Sequence, residues 1–322
     1  MHAEEQTVRR ELRDPLLRQA AWAVGSAPLL RSAPGLHFDD GAYFARWAER
    51  LAPAFLAWDQ DAEALASLRA VWESAPPLLG KRFEALVGWV LARDPAWEVV
   101  QSGRVWTDAG RTLGEWDLLL RDREADRWVH VELACKFYLQ VGGARGNRWL
   151  GVNPDDTLEA RLASLRRQMG LGREGAVVRE LARAGWRVDA ERVWMKGWWF
   201  YPVAGMGHAR PAAGADPDAP SGWWCTVSQA VNWARGNPSH WLPLPRLDWL
   251  RGGLEEGPTS GRYPGAPLTG SQWAAWLAQP LPGPGQLVVQ VVETSAGWVE
   301  ASRGMVVPED WPTRKAVQSG TK

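Results

Sequence analysis

An acidic residue and a lysine share one face of the strand-like segment VHVELACKFYL, residues 129–139. Side chains alternate between the two faces of a strand, so Glu132 and Lys136 point to the same side. The preceding strand-like segment, LGEWDLLLR, carries Glu115 and Asp117 on one face, while Trp116, Leu118 and Leu120 point to the other. If these two strands pair, they can therefore bring two carboxylates and an ammonium group together.

A third acid, Glu84, lies at the edge of the apolar stripe of a helical segment that precedes both strands. Three carboxylates of this kind can converge on Mg²⁺ or Mn²⁺, because hard cations prefer oxygen ligands. Such an ion polarises a phosphoryl oxygen and activates water. Lys136 can then orient the water or neutralise the transition state. The alternative is a structural ion pair between Glu132 and Lys136 on a solvated sheet face.

The elements that must position these groups follow from the period of the apolar residues. Residues 1–72 and the segment 73–95 show three- and four-residue spacing, which predicts helices. From about residue 97 the period becomes two, and a short strand is predicted at 97–103. Two further strands are predicted at 113–121 and 127–139, joined by a polar turn. A helix is predicted again over 157–169. The order of elements is helix, strands, helix.

The later part of the chain is rich in tryptophan, with most of the 23 Trp residues after position 180. Strands are predicted at 192–203, 286–293 and 297–308. The Trp pairs at 198–199 and 223–224 can stack on unpaired bases. The alternative, which alternation with polar residues favours, is that they pack a large second core.

The composition is that of a globular protein: 46% of the 322 residues are apolar, 23% are charged, and the net charge is zero. This argues against coating of nucleic acid or membranes by bulk charge. The two cysteines, Cys135 and Cys225, are too few for a disulfide framework. No apolar run reaches membrane-spanning length, and the charged N-terminus does not look like a signal peptide. We therefore expect a cytoplasmic protein that has no membrane partner.

The segment GEWDLLLRDREADRWVHVELACK, residues 114–136, resembles the core of the PD-(D/E)XK nuclease superfamily. That superfamily has the restriction-endonuclease-like fold. With the motifs GKRFEAL, GWWFYP and LPRLDWL, most of the chain also resembles a bacterial domain-of-unknown-function family, number 1853. The resemblance implies an α/β fold: a mixed sheet core flanked by helices, with an N-terminal helical segment and a Trp-rich C-terminal α+β extension.

The resemblance also implies roles for individual residues. Asp117 is expected to be the first-strand acid, Glu132 the second-strand acid and Glu84 the helix acid, with all three as metal ligands. The superfamily lysine is expected at position 134, where this chain has alanine. Lys136 lies one pleat further along the same face, about 7 Å away at the rise of a strand.

Two residues on the helix after the core, Arg161 and Gln168, are candidates for phosphate contacts, with a solvated helix face as the alternative. The Gly- and Arg-rich loop at 142–148 is a second candidate for phosphate contact, with an ordinary surface connection as the alternative. Structural roles are expected for histidines that lack metal-ligand spacing: His130, His208 and His240.

The sequence thus predicts three parts: an N-terminal helical segment at 1–74, a nuclease-like core at 75–170, and an extension at 171–322 packed on that core. The expected activity is Mg²⁺- or Mn²⁺-dependent cleavage of phosphodiester bonds, with DNA favoured over RNA as partner. The alternative is a non-catalytic scaffold on the same fold that binds nucleic acid or protein.

Overall fold

A computed structural model describes most of the chain. The described residues are 11–142, 146–204, 210–235, 239–251, 266–295 and 297–313. Among them, no helix is both long and apolar enough to cross a membrane.

The helices begin where the sequence supplies capping groups. Within the described residues the α-helices are α1 (Pro15–Gly25), α2 (Gly41–Trp58), α3 (Ala62–Ser74), α4 (Leu79–Leu91), α5 (Leu158–Gly170), α6 (Gly175–Ala184), α7 (Val227–Ala234) and α8 (Gly270–Leu277). Side chains of Asp14, Asp40 and Asp61 accept backbone N–H groups at the starts of α1, α2 and α3. Helix α4 begins after the two prolines and buries Phe83 and Val90 of its predicted stripe.

The strands form a mixed sheet. They are β1 (Trp97–Asp108), β2 (Arg111–Asp122), β3 (Arg127–Val141), β4 (Arg148–Gly151), β5 (Ala190–Pro202), β6 (Ser221–Thr226), β7 (His240–Pro243), β8 (Gln286–Thr294) and β9 (Gly297–Val307). In the described part of the chain these nine strands follow the order β1-β2-β3-β5-β6-β9-β8-β7, with β4 paired to β3. The β1–β2 and β2–β3 pairs are antiparallel, while β5–β6 and β6–β9 are parallel.

The chain divides into two compact units, and the first contains Met1–Lys136, Ala160–Gly197 and Ala213–Ala219. One of its apolar clusters lies at the β1–β2 hairpin. Its buried members are Trp106, Trp116, Leu119, Leu171, Val177 and Leu181. This cluster packs Trp116 and Leu119 of β2 on either side of the position of Asp117.

The second unit contains Phe137–Glu159, Trp198–Ala212 and Pro220–Lys322. Its core is built around tryptophan. The buried members of one cluster are Trp223, Cys225, Ala230, Ala234, Trp241, Trp273, Leu277, Val288 and Val306. Buried indole rings contribute large apolar areas, which accounts for much of the unusual Trp content.

The structure confirms the α/β class: a mixed sheet is flanked by helices. Strand β1 is longer than the predicted stretch at 97–103, because it continues as a hairpin with β2 up to Asp108. Helix α6 was not predicted. The division at residues 74 and 170 remains a prediction, and so does the restriction-endonuclease-like fold.

Candidate active site

Asp117 and Glu132 face each other at the point where the backbone ladder between β2 and β3 ends. The last paired residues are Leu118 and Val131. Beyond this pair, side-chain carboxylates replace backbone carbonyls as the partners of the backbone amides. The Leu133 amide donates to Asp117 Oδ2 at 2.8 Å, and the Asp117 amide lies 3.4 Å from Glu132 Oε1. The two acids are therefore on the same side of the sheet and link β2 to β3 where the backbone ladder stops.

Burial makes this carboxylate pair electrostatically unusual. Burial and the neighbouring charge of Glu132 raise the pKa of the Asp117 carboxyl to about 7, although the Leu133 amide and the charges of Arg161 and Lys81 oppose the rise. Burial likewise raises the pKa of Glu132 to about 7. Two adjacent carboxylates in this state favour taking up a proton or another cation near neutral pH.

Glu132 is completely buried, and one of its carboxylate oxygens has no hydrogen-bond partner among the described residues. Oε1 lies 2.9 Å from His130 Nε2, whereas Oε2 makes no hydrogen bond to any described residue. Buried polar atoms normally have partners, and an exception points to a missing ion or water. The Glu132 carboxylate therefore presents one unused ligand atom beside Asp117.

His130 was expected to have a structural role, which remains a prediction, and it lies against the Glu132 carboxylate. Burial lowers the pKa of His130 to about 4, so the ring is neutral at pH 7. The contact of 2.9 Å between its Nε2 atom and Glu132 Oε1 fixes the orientation of the carboxylate. The ring also stacks on Trp116, with centroids 4.1 Å apart. The i, i+2 spacing of His130 and Glu132 on β3 was the signal that could have found it.

Arg161 is the positive charge nearest to the pair from α5. One of its terminal nitrogens donates to the Leu133 carbonyl at 2.9 Å. Its charge opposes the rise in the pKa of both Asp117 and Glu132. The observed contact ties α5 to β3 next to the acids, and a phosphate contact by Arg161 remains a prediction.

Glu84 reaches the same region from α4. Its Oε2 accepts a hydrogen bond from Lys81 Nζ at 2.7 Å, and the same ammonium group lies 3.6 Å from Glu115 Oε1. Burial raises the pKa of Glu84, and the charges of Asp117 and Glu115 add to the rise although Lys81 opposes it. Glu84 thus lies within the electrostatic reach of Asp117 and is already paired with a lysine.

Lys136 lies on β3 beyond Ala134 and is half-buried. Its charge acts on the neighbouring Cys135 thiol, whose pKa burial raises to about 12. The backbone of Lys136 is closely covered by Gly197, where a Cβ atom would come 1.7 Å from the Lys136 carbonyl oxygen. Two of the positive charges that act on the Asp117 carboxyl are those of Arg161 and Lys81.

The fit of a divalent cation rests on the carboxylate pair. No group of three or more His, Cys, Asp or Glu side chains in the described part of the chain is arranged to hold a metal ion. Mg²⁺ in proteins is commonly held by one or two carboxylates and keeps several waters. Asp117 and Glu132, with an unpartnered buried oxygen and raised pKa values, fit that requirement. Glu84 fits it only if it exchanges its contact with Lys81.

A groove of about 720 Å³ opens beside Glu115, two residues before Asp117 on β2. Gln168 lines it, with Nε2 lying 3.5 Å from the Glu115 carbonyl oxygen and Oε1 buried without a partner among the described residues. The lining residues include Arg111, Thr112, Gly114, Glu115, Ser164, Arg167, Gln168 and Glu174. The groove is polar and large enough for part of a nucleotide chain.

The Trp pairs pack inside the second unit. Trp198, Trp199 and Trp223 are buried, and Trp224 donates from its indole nitrogen to the Gln140 carbonyl at 2.9 Å. These contacts are those of the expected second core. His240 packs against the Trp298 ring at 4.5 Å. Two other candidates lie outside the described residues: His208 and positions 143–145 of the predicted phosphate loop.

A family model described as Domain of unknown function (DUF1853) matches residues 18–307, which is most of the chain. The match confirms the predicted relationship to family 1853. No curated protein matches the chain. No solved structure matches it either.

Proposed function

The chain belongs to the DUF1853 family, and we propose that it is a Mg²⁺- or Mn²⁺-dependent nuclease of PD-(D/E)XK type that hydrolyses phosphodiester bonds. One observation carries this proposal. Two carboxylates from adjacent antiparallel strands, the partly buried Asp117 and the fully buried Glu132, are directly opposed, have raised pKa values, and leave one oxygen without a partner in the described part of the chain. DNA is the proposed substrate class ahead of RNA, on the resemblance of residues 114–136.

Asp117 and Glu132 would hold the metal ion, with Glu84 as a third ligand after it leaves Lys81. When bound, the ion supplies charge that polarises the phosphoryl group and lowers the pKa of water. His130 keeps the Glu132 carboxylate oriented through its contact at 2.9 Å. Outer groups of this kind hold metal ligands in position.

The reaction is a hydrolysis without any change of oxidation state. The oxygen of a water molecule forms a bond to phosphorus, and the bond between phosphorus and one ester oxygen breaks. The proton released by water ends on the departing sugar oxygen, so the products are a phosphomonoester and a hydroxyl group. The groove lined by Glu115 and Gln168 would hold part of the substrate, two residues along β2 from Asp117.

The competing proposal is a binding scaffold on the same fold. Ala134 at the expected lysine position favours it, as does the lack of a ready three-ligand group among the described residues. A scaffold requires neither metal binding nor cleavage, so direct measurements separate the two proposals.

The decisive experiment measures Mn²⁺ binding and cleavage on the same preparations. Wild-type protein, Asp117→Asn and a control variant, Asp108→Asn, are titrated with Mn²⁺ while the electron paramagnetic resonance signal of free Mn²⁺ is followed. Asp108 is exposed at the end of β1. The same proteins are incubated with plasmid DNA, single-stranded DNA and RNA.

The nuclease proposal expects Mn²⁺ binding and DNA cleavage by the wild type and the Asp108 variant, and loss of both in Asp117→Asn. A wild-type protein that binds no Mn²⁺ and cuts none of the three substrates rejects the nuclease and leaves the scaffold. Cleavage of RNA alone would change the substrate class and keep the reaction.

A further inference from the structure

We propose that Lys81, on the first turn of α4, supplies the ammonium group that acts on the scissile phosphate, in the role expected for Lys136. The inference rests on the proposed nuclease function and assigns a catalytic residue to it. The geometry of one ammonium group among three acids carries the argument.

Lys81 faces the acid cluster directly. Its Nζ lies 2.7 Å from Glu84 Oε2 and 3.6 Å from Glu115 Oε1. Its charge and that of Asp117 also act on each other. The side chain is 40% exposed, so the ammonium group can be reached by a substrate as well as by the acids.

Helix stability does not explain a lysine at this position. Lys81 is the third residue of α4, and the first turn of a helix favours acidic rather than basic side chains. Its partner Glu84 is three residues later, which is the less favourable orientation for a helical ion pair. Exposed pairs of this type contribute about 0–1 kcal/mol to folding. A role in the reaction would explain the presence of lysine at position 81, which helix stability does not explain.

The residue type supports the same conclusion. The chain has 32 arginines and only five lysines, so an ordinary surface cation would be expected to be arginine. A lysine offers a compact point charge on a flexible stem, which can follow a phosphoryl group as charge develops on it. Lys81 is one of the few positions where this chain uses that group.

The charge and the position of the side chain define the role. An ammonium group held 2.7 Å from Glu84 Oε2 and 3.6 Å from Glu115 Oε1 can offset negative charge on the phosphoryl oxygens while water adds and the ester bond breaks.

The test compares Lys81→Met, Lys81→Arg and Lys136→Met in the full-length protein. Methionine keeps an apolar stem of similar length, so both Met variants preserve packing while removing the charge. Each protein is assayed for DNA cleavage between pH 6 and 9, for Mn²⁺ affinity and for melting temperature.

We expect Lys81→Met to lower the cleavage rate by roughly 10²–10³-fold at every pH, since loss of a transition-state charge partner has effects of that size. Lys81→Arg should restore a large part of the rate, and Lys136→Met should stay within about threefold of the wild type. Mn²⁺ affinity should rise roughly two- to fivefold in Lys81→Met, because a competing cation beside the acids is removed. It should not change in Lys136→Met.

The inference is overturned if the wild type cleaves DNA and Lys81→Met cleaves it equally well. Loss of cleavage in Lys136→Met alone would return the role to Lys136 and would leave the nuclease proposal intact. If Lys81→Met lowers the melting temperature so far that its cleavage rate cannot be interpreted, Lys81→Arg provides the test. An arginine variant that is fully folded, does not cleave DNA and shows no increase in Mn²⁺ affinity also overturns the inference. A wild type that neither binds Mn²⁺ nor cleaves removes the nuclease proposal and this inference with it.

Discussion

Replacement of Asp117 by asparagine is expected to stabilise the metal-free protein, and increasingly so as the pH rises. The structure buries this carboxyl beside Glu132, and its pKa rises from the ordinary 3.8 to about 7. The folded protein therefore holds the Asp117 proton more tightly than the unfolded chain does. At pH values between these two pKa values, Asp117 is ionised in the unfolded chain but still protonated in the folded protein. The free energy of unfolding therefore falls as the pH rises, and the fall is complete above pH 7.

The size of the effect follows from the same pKa. Each pH unit between pH 5 and pH 7 removes about 1.4 kcal/mol from the free energy of unfolding of the wild type. The asparagine variant lacks this titration, and its amide oxygen can still accept from the Leu133 N–H. From pH 5 to pH 8 the variant should therefore gain about 3 kcal/mol relative to the wild type. At about 2 °C per kcal/mol for a large domain, this corresponds to a relative rise of about 6 °C in Tm.

The assay is thermal unfolding followed by tryptophan fluorescence in EDTA at pH 5, 6, 7 and 8. Asp108→Asn serves as the matched control, because Asp108 is exposed. If the Tm of the control variant equals that of the wild type at all four pH values, the effect is specific to the site of Asp117. If the Tm difference between Asp117→Asn and the wild type does not depend on pH, the reasoning that the buried acid pair opposes folding is refuted.

Three further predictions follow from particular contacts. His130→Ala should weaken Mn²⁺ binding about 10- to 100-fold by releasing the Glu132 carboxylate, and equilibrium titration showing unchanged affinity would contradict this. Gly197→Ala should lower the free energy of unfolding by more than about 2 kcal/mol in urea denaturation, because φ is +139° and the new Cβ would meet the Lys136 carbonyl oxygen; an unaltered midpoint would show that the contact relaxes freely. Limited proteolysis should release no stable 175–322 fragment, because residues 160–197 belong to the unit that contains the acid pair, and a folded fragment of that length would count against the predicted packing.

The positions of the two strand acids were predictable from sequence because they depend on local backbone geometry. Alternation along a strand places Asp117 opposite in direction to Trp116, and it places Glu132 on the same face as His130. The apolar stripe of α4 is local in the same sense, since it follows from the helical period. These features need no knowledge of which segments meet.

Only the tertiary structure decided which groups share the site. The register of β2 against β3 sets Asp117 opposite Glu132, and register depends on long-range pairing rather than on either strand alone. The approach of α4 brings Lys81 to within 3.6 Å of Glu115, a contact between residues 34 positions apart. Lys136, which shares a strand face with Glu132, was the candidate that local spacing selected.

Burial was the other property beyond the reach of the sequence. The pattern predicted a polar strand face on which Glu132 could be solvated, whereas packing in the folded chain leaves it with no exposed surface. Burial raises the pKa of Glu132 and lowers that of His130, and it turns two ordinary side chains into a neutral donor and an acid that favours a cation. Desolvation depends on every segment that packs around a group, so residue types and spacing specify the chemical groups, while their reactivity is set by the fold.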